Sequence, residues 1–204
     1  MNIVTENLGK RFNREWIFKK LDFTFESNHC YAIVGPNGSG KSTLLQVLWG
    51  QTPQSTGTLS YFDNQKLIPQ EVMYQQVSVA TPYMELIEEF TLEEMIKFHF
   101  KFKKIMNPLS DDELIQIMEL DHARKKQISN FSSGMRQRLK LGLAFYSDTS
   151  SLFLDEPTTN LDKKSIEWYH INLHKTSPSR LVLIASNADH ECPINAQKVN
   201  LLEF

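Results

Sequence analysis

Apolar and polar positions alternate early in the chain and then give way to continuous apolar runs. LDFTF, Leu21 to Phe25, alternates, and with the preceding WIF it predicts antiparallel strands having one buried face. CYAIV, Cys30 to Val34, is a short apolar, partly β-branched run that stops at Gly35-Pro36, the pattern of a buried strand entering a loop. A helix is predicted from Lys41 to about Trp49, and strand returns over GTLSYF, Gly57 to Phe62, and over VSVA before Thr81. From Phe90 to Met118 the chain is helical in tone, with Thr91 as an N-cap ahead of Glu94, and reads as an inserted helical lobe. Within it, MIKFHFKFKK, Met95 to Lys104, reads as a helix with one packed face and snorkelling lysines. SLFLD, Ser151 to Asp155, and LVLIAS, Leu181 to Ser186, flank a helical stretch from Ser165 to Lys175. That βαβ order predicts parallel strands and right-handed crossovers.

Composition narrows the class without naming a chemistry. A chain of 204 residues is long enough for one domain that buries roughly 70% of its unfolded surface. Its 22 Lys and Arg nearly balance 24 Asp and Glu, so the excess positive field of a general nucleic-acid binder is missing and any phosphate chemistry must be local. The start, MNIVTENLGKRF, lacks a basic segment followed by an apolar one, and no apolar run approaches the roughly 20 residues of a membrane span, which predicts a cytosolic chain. Cys30 and Cys192 are far apart in sequence and form no CxxC, so two structural thiols in a reduced compartment are expected. The six histidines show no ligand spacing, and no transition metal is assigned.

Two short segments carry the chemistry. GPNGSGKST, Gly35 to Thr43, fits G-x-x-x-x-G-K-[ST] at every fixed position and stands between a predicted strand and a predicted helix. Gly35, Gly38 and Gly40 allow the backbone close to phosphate oxygens, and with Pro36, Asn37 and Ser39 they complete a loop of converging N–H groups. Lys41 is expected to reach the β and γ phosphates, Ser42 to ligate Mg²⁺ and Thr43 to support the α-phosphate. In LFLDEP, Leu152 to Pro157, a hydrophobic strand ends in paired carboxylates where doubly wound sheets place ligands. Asp155 is expected to hold Mg²⁺ through its water shell and Glu156 to polarise the attacking water.

FSSGMRQR, Phe131 to Arg138, resembles the signature of ABC ATPases, usually LSGGQ followed by xQR: Ser132, Gly134, Gln137 and Arg138 match, while Ser133 and Met135 depart. PTTNLD, with Asn160, Leu161 and Asp162, resembles the family's D-loop, and LGKRF resembles the segment that supplies an aromatic platform for adenine. Phe12 is the candidate for that platform and Trp16 the second choice; a core phenylalanine on a strand accounts for Phe12 equally well. The resemblance runs in order from Leu8 to Asn187. It implies a P-loop NTPase (RecA-like) α/β core with an antiparallel β subdomain over residues 1–78 and 147–204, and an inserted helical subdomain over 79–146. It further implies that ATP with Mg²⁺ is sandwiched between two cassettes in a homo- or heterodimer. Ser132, Ser133 and Gly134 of one chain would then face the γ-phosphate held by the other.

By the same resemblance, the chain hydrolyses ATP as a subunit of an ABC transporter, docked on a transmembrane permease at the inner face of the membrane. An apolar strip around Tyr83, Met84, Leu86 and Ile87 is expected either to dock that partner or to pack within the helical lobe, the two accounting for it equally well. Two departures bear on rate. The family's Gln between phosphate loop and helical lobe is missing near Thr81 to Tyr83, and Asn187 stands where a His normally touches the γ-phosphate. Asn donates one neutral hydrogen bond and carries no proton, so slow hydrolysis is expected. The alternatives are a soluble ABC ATPase outside transport and a nucleotide switch with little turnover.

Overall fold

The computed structural model of the chain describes residues 1–106 and 109–204. β1 (Asn2–Phe12) and β2 (Glu15–Phe25) form an antiparallel hairpin, and Asn13 at its tip takes a left-handed φ of 52° that a short polar side chain tolerates. The chain then supplies β3 (Cys30–Val34), α1 (Lys41–Leu48), β4 (Thr56–Asp63) and β5 (Lys66–Ile68). The turn between β4 and β5 puts Asn64 and Gln65 both at positive φ, as a two-residue hairpin of this hand requires. β1, β2, β4 and β5 make one antiparallel sheet in the order β2-β1-β4-β5.

After α2 (Met73–Gln76) and β6 (Val77–Ala80) come α3 (Leu92–His99), α4 (Asp111–Ile117) and α5 (Ser133–Tyr146). β7 (Ser151–Asp155), α6 (Lys163–Thr176), β8 (Leu181–Ala185) and β9 (Gln197–Asn200) complete the fold. The second sheet is parallel, in the order β6-β7-β8-β3-β9. β7 and β8 are buried along their whole length, which is why they read as continuous apolar runs. Their side chains divide with period two. Leu152, Leu154, Val182 and Ile184 join the core under α3, α4, α5 and α6, whereas Phe153, Leu181, Leu183 and Ala185 join the core under α1, β1 and β2.

The helical stretch expected from Phe90 to Met118 is two helices. Each opens on a complete capping box, Thr91 with Glu94 and Ser110 with Glu113. MIKFHFKFKK leaves the helix at Phe100, and its Lys103 does not reach out to water. The ammonium is drawn inward, donating to Val77 O at 2.6 Å and to the carbonyl of Tyr74, and burial lowers it to about 8. Carbonyls left open where α2 passes into β6 outbid the helix for these residues. The part of the expected helix at 107–108 lies outside the described residues.

Arg180, 1% exposed, fills the joint between α5 and β7. Its Nε donates to Thr149 O at 2.8 Å, Nη1 to Phe145 O at 2.9 Å, and Nη2 to Thr149 Oγ1 at 2.9 Å and to the carbonyl of Ser147. The cation thus sits at the negative end of the α5 dipole, with its N–H groups satisfied by carbonyls. Beside it, Ser147 Oγ meets His99 Nε2 at 2.9 Å, and Thr149 Oγ1 meets Ser78 Oγ at 2.9 Å.

Candidate nucleotide site

The parallel sheet places three strand ends side by side. β8 lies between β3 and β7, and Ala185 pairs with Ile33 on one side and Asp155 on the other. The phosphate-type loop after β3, the Asp155–Glu156 pair after β7 and Asn187 after β8 therefore share one edge, the switch point of the sheet.

Gly38 and Gly40 of that loop have φ of 80° and 97°, backbone that other residues resist, and Ser39 N closes a turn on Pro36 O at 3.1 Å. At Gly40 space is denied as well: a Cβ there would meet Ile17 Cγ2 at 2.1 Å. Ile17 is the unmatched residue between the pairs Lys10–Phe18 and Arg11–Trp16, a bulge that re-aims the strand toward the loop. Nothing local to either segment signals this contact, because a bulge is a property of two strands.

Lys41 is buried, and its Nζ donates to Gly35 O at 2.8 Å and Pro36 O at 3.1 Å. Burial lowers the ammonium, and the charges of Glu156 and Asp155 partly oppose that. Asp155 is 3% exposed, and its Oδ1 has no hydrogen-bond partner among the described residues. Burial raises its carboxyl above the ordinary range, and the Ser42 hydroxyl pulls it part of the way back. A buried oxygen without a partner, one neighbouring hydroxyl and one carboxylate fit Mg²⁺, which takes few protein ligands and completes its shell with phosphate and water. Ser39 Oγ is a second buried, unpartnered atom within the loop. Glu156 is exposed beside them, in a left-handed conformation with φ of 43°.

Asn187 is exposed, and its side-chain amide donates to Asn37 Oδ1 in the loop. Thr43 lies within α1, after Ser42. Phe12 ends β1 at 48% exposed, with the Lys10 ammonium 4.8 Å from its ring. Trp16 is half-buried between Arg11 and Lys19, 5.5 and 4.9 Å from its ring, and packs on Gly9. The more exposed ring at the strand end suits a stacking platform better than the half-buried one.

Ser132 is the N-cap of α5, its Oγ accepting from Met135 N at 3.2 Å. Ser133 falls inside the helix with ordinary backbone, so its side chain brings no strain. Ser132, Ser133, Gly134, Asn160 and Asp162 line one depression of about 500 Å³, which contains no residue of the phosphate-type loop. Asp162 caps α6 from there, its Oδ1 accepting from Ser165 N at 2.8 Å, and these bonds hold its carboxyl below the usual range. Gln137 Nε2 reaches Pro157 O at 2.7 Å, and Arg138 bridges Glu119 Oε2 at 2.7 Å and Ser165 Oγ at 2.6 Å.

Tyr83 is 84% exposed and lines, with Met84, Leu86, Arg136 and Lys140, a groove of about 570 Å³. Met84, Leu86 and Ile87 are half-buried, the last two against the helical core, so the expected patch is open at Tyr83 alone. Among the described residues, no helix is long and apolar enough to cross a membrane. Cys30 and Cys192 are half-buried free thiols, raised by burial to about 12 and about 11.

The family model described as ABC transporter matches residues 18–159. The Nod factor export ATP-binding protein I of Burkholderia lata is 30% identical over 164 residues, which cover 78% of this chain and 53% of that protein. An uncharacterized ABC transporter ATP-binding protein of Bacillus subtilis is 28% identical over 183 residues, 89% of this chain and 83% of that protein. The chain thus spans about half the length of the Nod factor export relative and most of the Bacillus one. Among solved structures, a putative ABC transporter ATP-binding protein from Pyrococcus furiosus superposes with a TM-score of 0.82 at 18% identity, covering 100% of this chain and 99% of that one. The dimeric bacterial ABC transporter cassette MJ0796 gives 0.77 at 20% identity, covering 98% and 94%. At these identities the likeness is one of fold.

Proposed function

Because this chain belongs to the ABC transporter family, on a family match that spans residues 18–159, we propose that it is the ATP-hydrolysing subunit of a transporter and works as a pair of cassettes on a separate permease. Members of the family generally bind and hydrolyse ATP. One observation carries the finer reading: Ser132 to Gly134 line a depression apart from the loop that holds Lys41, so one chain offers two separate half-sites. Two chains packed head to tail would close each half-site with the other.

In that assembly the loop from Gly35 to Thr43 cradles the triphosphate with its N–H groups. Lys41, now turned on the carbonyls of Gly35 and Pro36, swings to the β and γ phosphates. Ser42 and Asp155 would hold Mg²⁺, which when bound neutralises charge between the phosphates. Glu156 polarises the attacking water, Asn187 offers one neutral donor to the γ-phosphate, and Phe12 stacks on adenine. Asp162 shapes the D-loop segment at the facing surface by fixing the start of α6. The proposed division is a nucleotide-binding core over residues 1–78 and 147–204 with a helical part over 79–146. The groove at Tyr83 and Met84 takes the permease, which keeps the cassette at the inner face of the membrane.

Turnover measured against protein concentration tests the pairing. Activity per chain should rise with concentration, and Glu156→Gln with ATP should elute as a dimer. Full turnover by a chain that stays monomeric throughout would overturn it. Permease docking is tested by co-purification: Tyr83→Ala should weaken the complex and leave nucleotide affinity intact, and an unweakened complex would count against the groove. A nucleotide switch with little turnover is a second reading, favoured by the neutral Asn187 bonded to Asn37. Turnover with and without the permease separates the two.

A further inference from the structure

The turn that follows Asp155 is strained and held from outside. Glu156 and Asn160 both take left-handed φ, 43° and 65°, a conformation that a glutamate resists and an asparagine tolerates. Three contacts fix the segment between them. Glu156 N donates to Ala185 O at 2.9 Å, and Gln137 Nε2 donates to Pro157 O at 2.7 Å. The third partner is Glu191, 4% exposed, whose Oε1 accepts from Thr158 N at 2.8 Å and also from the Thr158 hydroxyl. His190 Nε2 lies 3.1 Å from the same Thr158 oxygen. Tyr169 fixes the backbone beneath, its hydroxyl donating to Glu191 O at 2.7 Å.

A buried carboxylate is a costly way to tie a loop if stability is all that is required, because a neutral acceptor avoids most of the desolvation. What the charge adds is a shorter and stronger hold on one N–H and one O–H. It holds the residue two positions past Glu156. The same short loop carries Asn187 onto Asn37, so Asn187 to Glu191 grip both the phosphate loop and the turn bearing Glu156.

We propose that Glu191 is a positioning residue for hydrolysis: through Thr158 it fixes the turn that aims the Glu156 carboxylate at the attacking water. The inference rests on the reading of Glu156 given above. Single-turnover cleavage of magnesium-ATP by the intact chain tests it, with nucleotide affinity and thermal unfolding followed on the same samples. Glu191→Gln should slow cleavage on the order of tenfold and leave ATP affinity within about twofold, the split expected for a group acting on the chemical step. Thr158→Val should match it, and Thr158→Ser, which keeps the hydroxyl, should recover most of the rate. The double variant Glu191→Gln with Thr158→Val should be no slower than the slower single one, since both cut one link.

Glu156→Gln serves as the control. Wild-type cleavage there overturns the role of Glu156 and this inference with it. Slow cleavage there, together with wild-type cleavage in Glu191→Gln or losses in the double variant that multiply, overturns this inference alone. A fall in melting temperature without a fall in rate would reduce Glu191 to a structural tie and count against it.

Discussion

The side chain of Asn187 donates to that of Asn37, joining the end of β8 to the loop after β3 across 150 residues of sequence. That bond takes up one of the two amide N–H donors that Asn187 could offer a phosphate. Replacing Asn187 by His supplies a group that can carry charge and cannot reproduce the amide pair. Single-turnover ATP cleavage should therefore quicken in Asn187→His, on the order of tenfold or more. An unchanged or lower rate would show that Asn187 does not limit the chemistry.

Gly40 and Ile17 make a second test, because two obstacles overlap at one atom. Gly40→Ala places a Cβ 2.1 Å from Ile17 Cγ2 and also forces alanine to a φ of 97°. Nucleotide affinity should collapse. Adding Ile17→Ala removes the collision and leaves the backbone strain of about 1–2 kcal/mol, so the double variant should recover only in part. Calorimetric titration with magnesium-ATP separates the two contributions; full recovery would assign the whole effect to Ile17.

The raised carboxyl of Asp155 makes the nucleotide-free protein pH-sensitive. The folded chain holds that proton more tightly than the unfolded chain, so this group's contribution to stability falls as pH rises from the ordinary carboxylate range through the raised value. The cost is fully present once the pH lies above the raised value. Asp155→Asn should raise the melting temperature of the nucleotide-free protein at pH 7, with a gain that narrows toward acid, and should lose the stabilisation that magnesium-ATP gives the parent. A lower melting temperature at pH 7 would contradict this.

His99 has the opposite sign. Burial lowers its imidazole from 6.5 to about 4, so the folded chain binds the proton later than the unfolded chain. The stability that depends on the neutral ring is intact above about 6.5 and is lost as pH falls toward 4, on the order of 3 kcal/mol at most. Urea unfolding of the parent and of His99→Gln at pH 7 and pH 5 should show a steeper acid loss in the parent. Parallel losses would place the acid sensitivity elsewhere.

Chemistry that is local in sequence was legible. The phosphate loop, the Asp155–Glu156 pair, the Ser132 cap and the Thr91–Glu94 box each lie within a few residues, where spacing and residue type decide the geometry. What stayed hidden depends on sheet order. Thr158 finds Glu191 33 residues on because β7 and β8 are neighbours, and Ile17 reaches Gly40 because a bulge turns it there. The break after His99 was illegible for a related reason: the periodicity of MIKFHFKFKK continues, but open carbonyls at Tyr74 and Val77 capture Lys103.

Arg180 has one more effect, on how the molecule comes apart. Its guanidinium bonds the carbonyls of Phe145, Ser147 and Thr149, tying the tail of the helix that Ser132 begins to the segment that leads into the strand that Asp155 ends. Neither piece can peel away alone without stranding a full positive charge in a dry interior, which is far costlier than fraying an apolar edge. The amides around Phe145 and Ser151 should therefore exchange with solvent only when the whole molecule opens, so the helix begun at Ser132 and the strand ended at Asp155 are gained or lost as one unit.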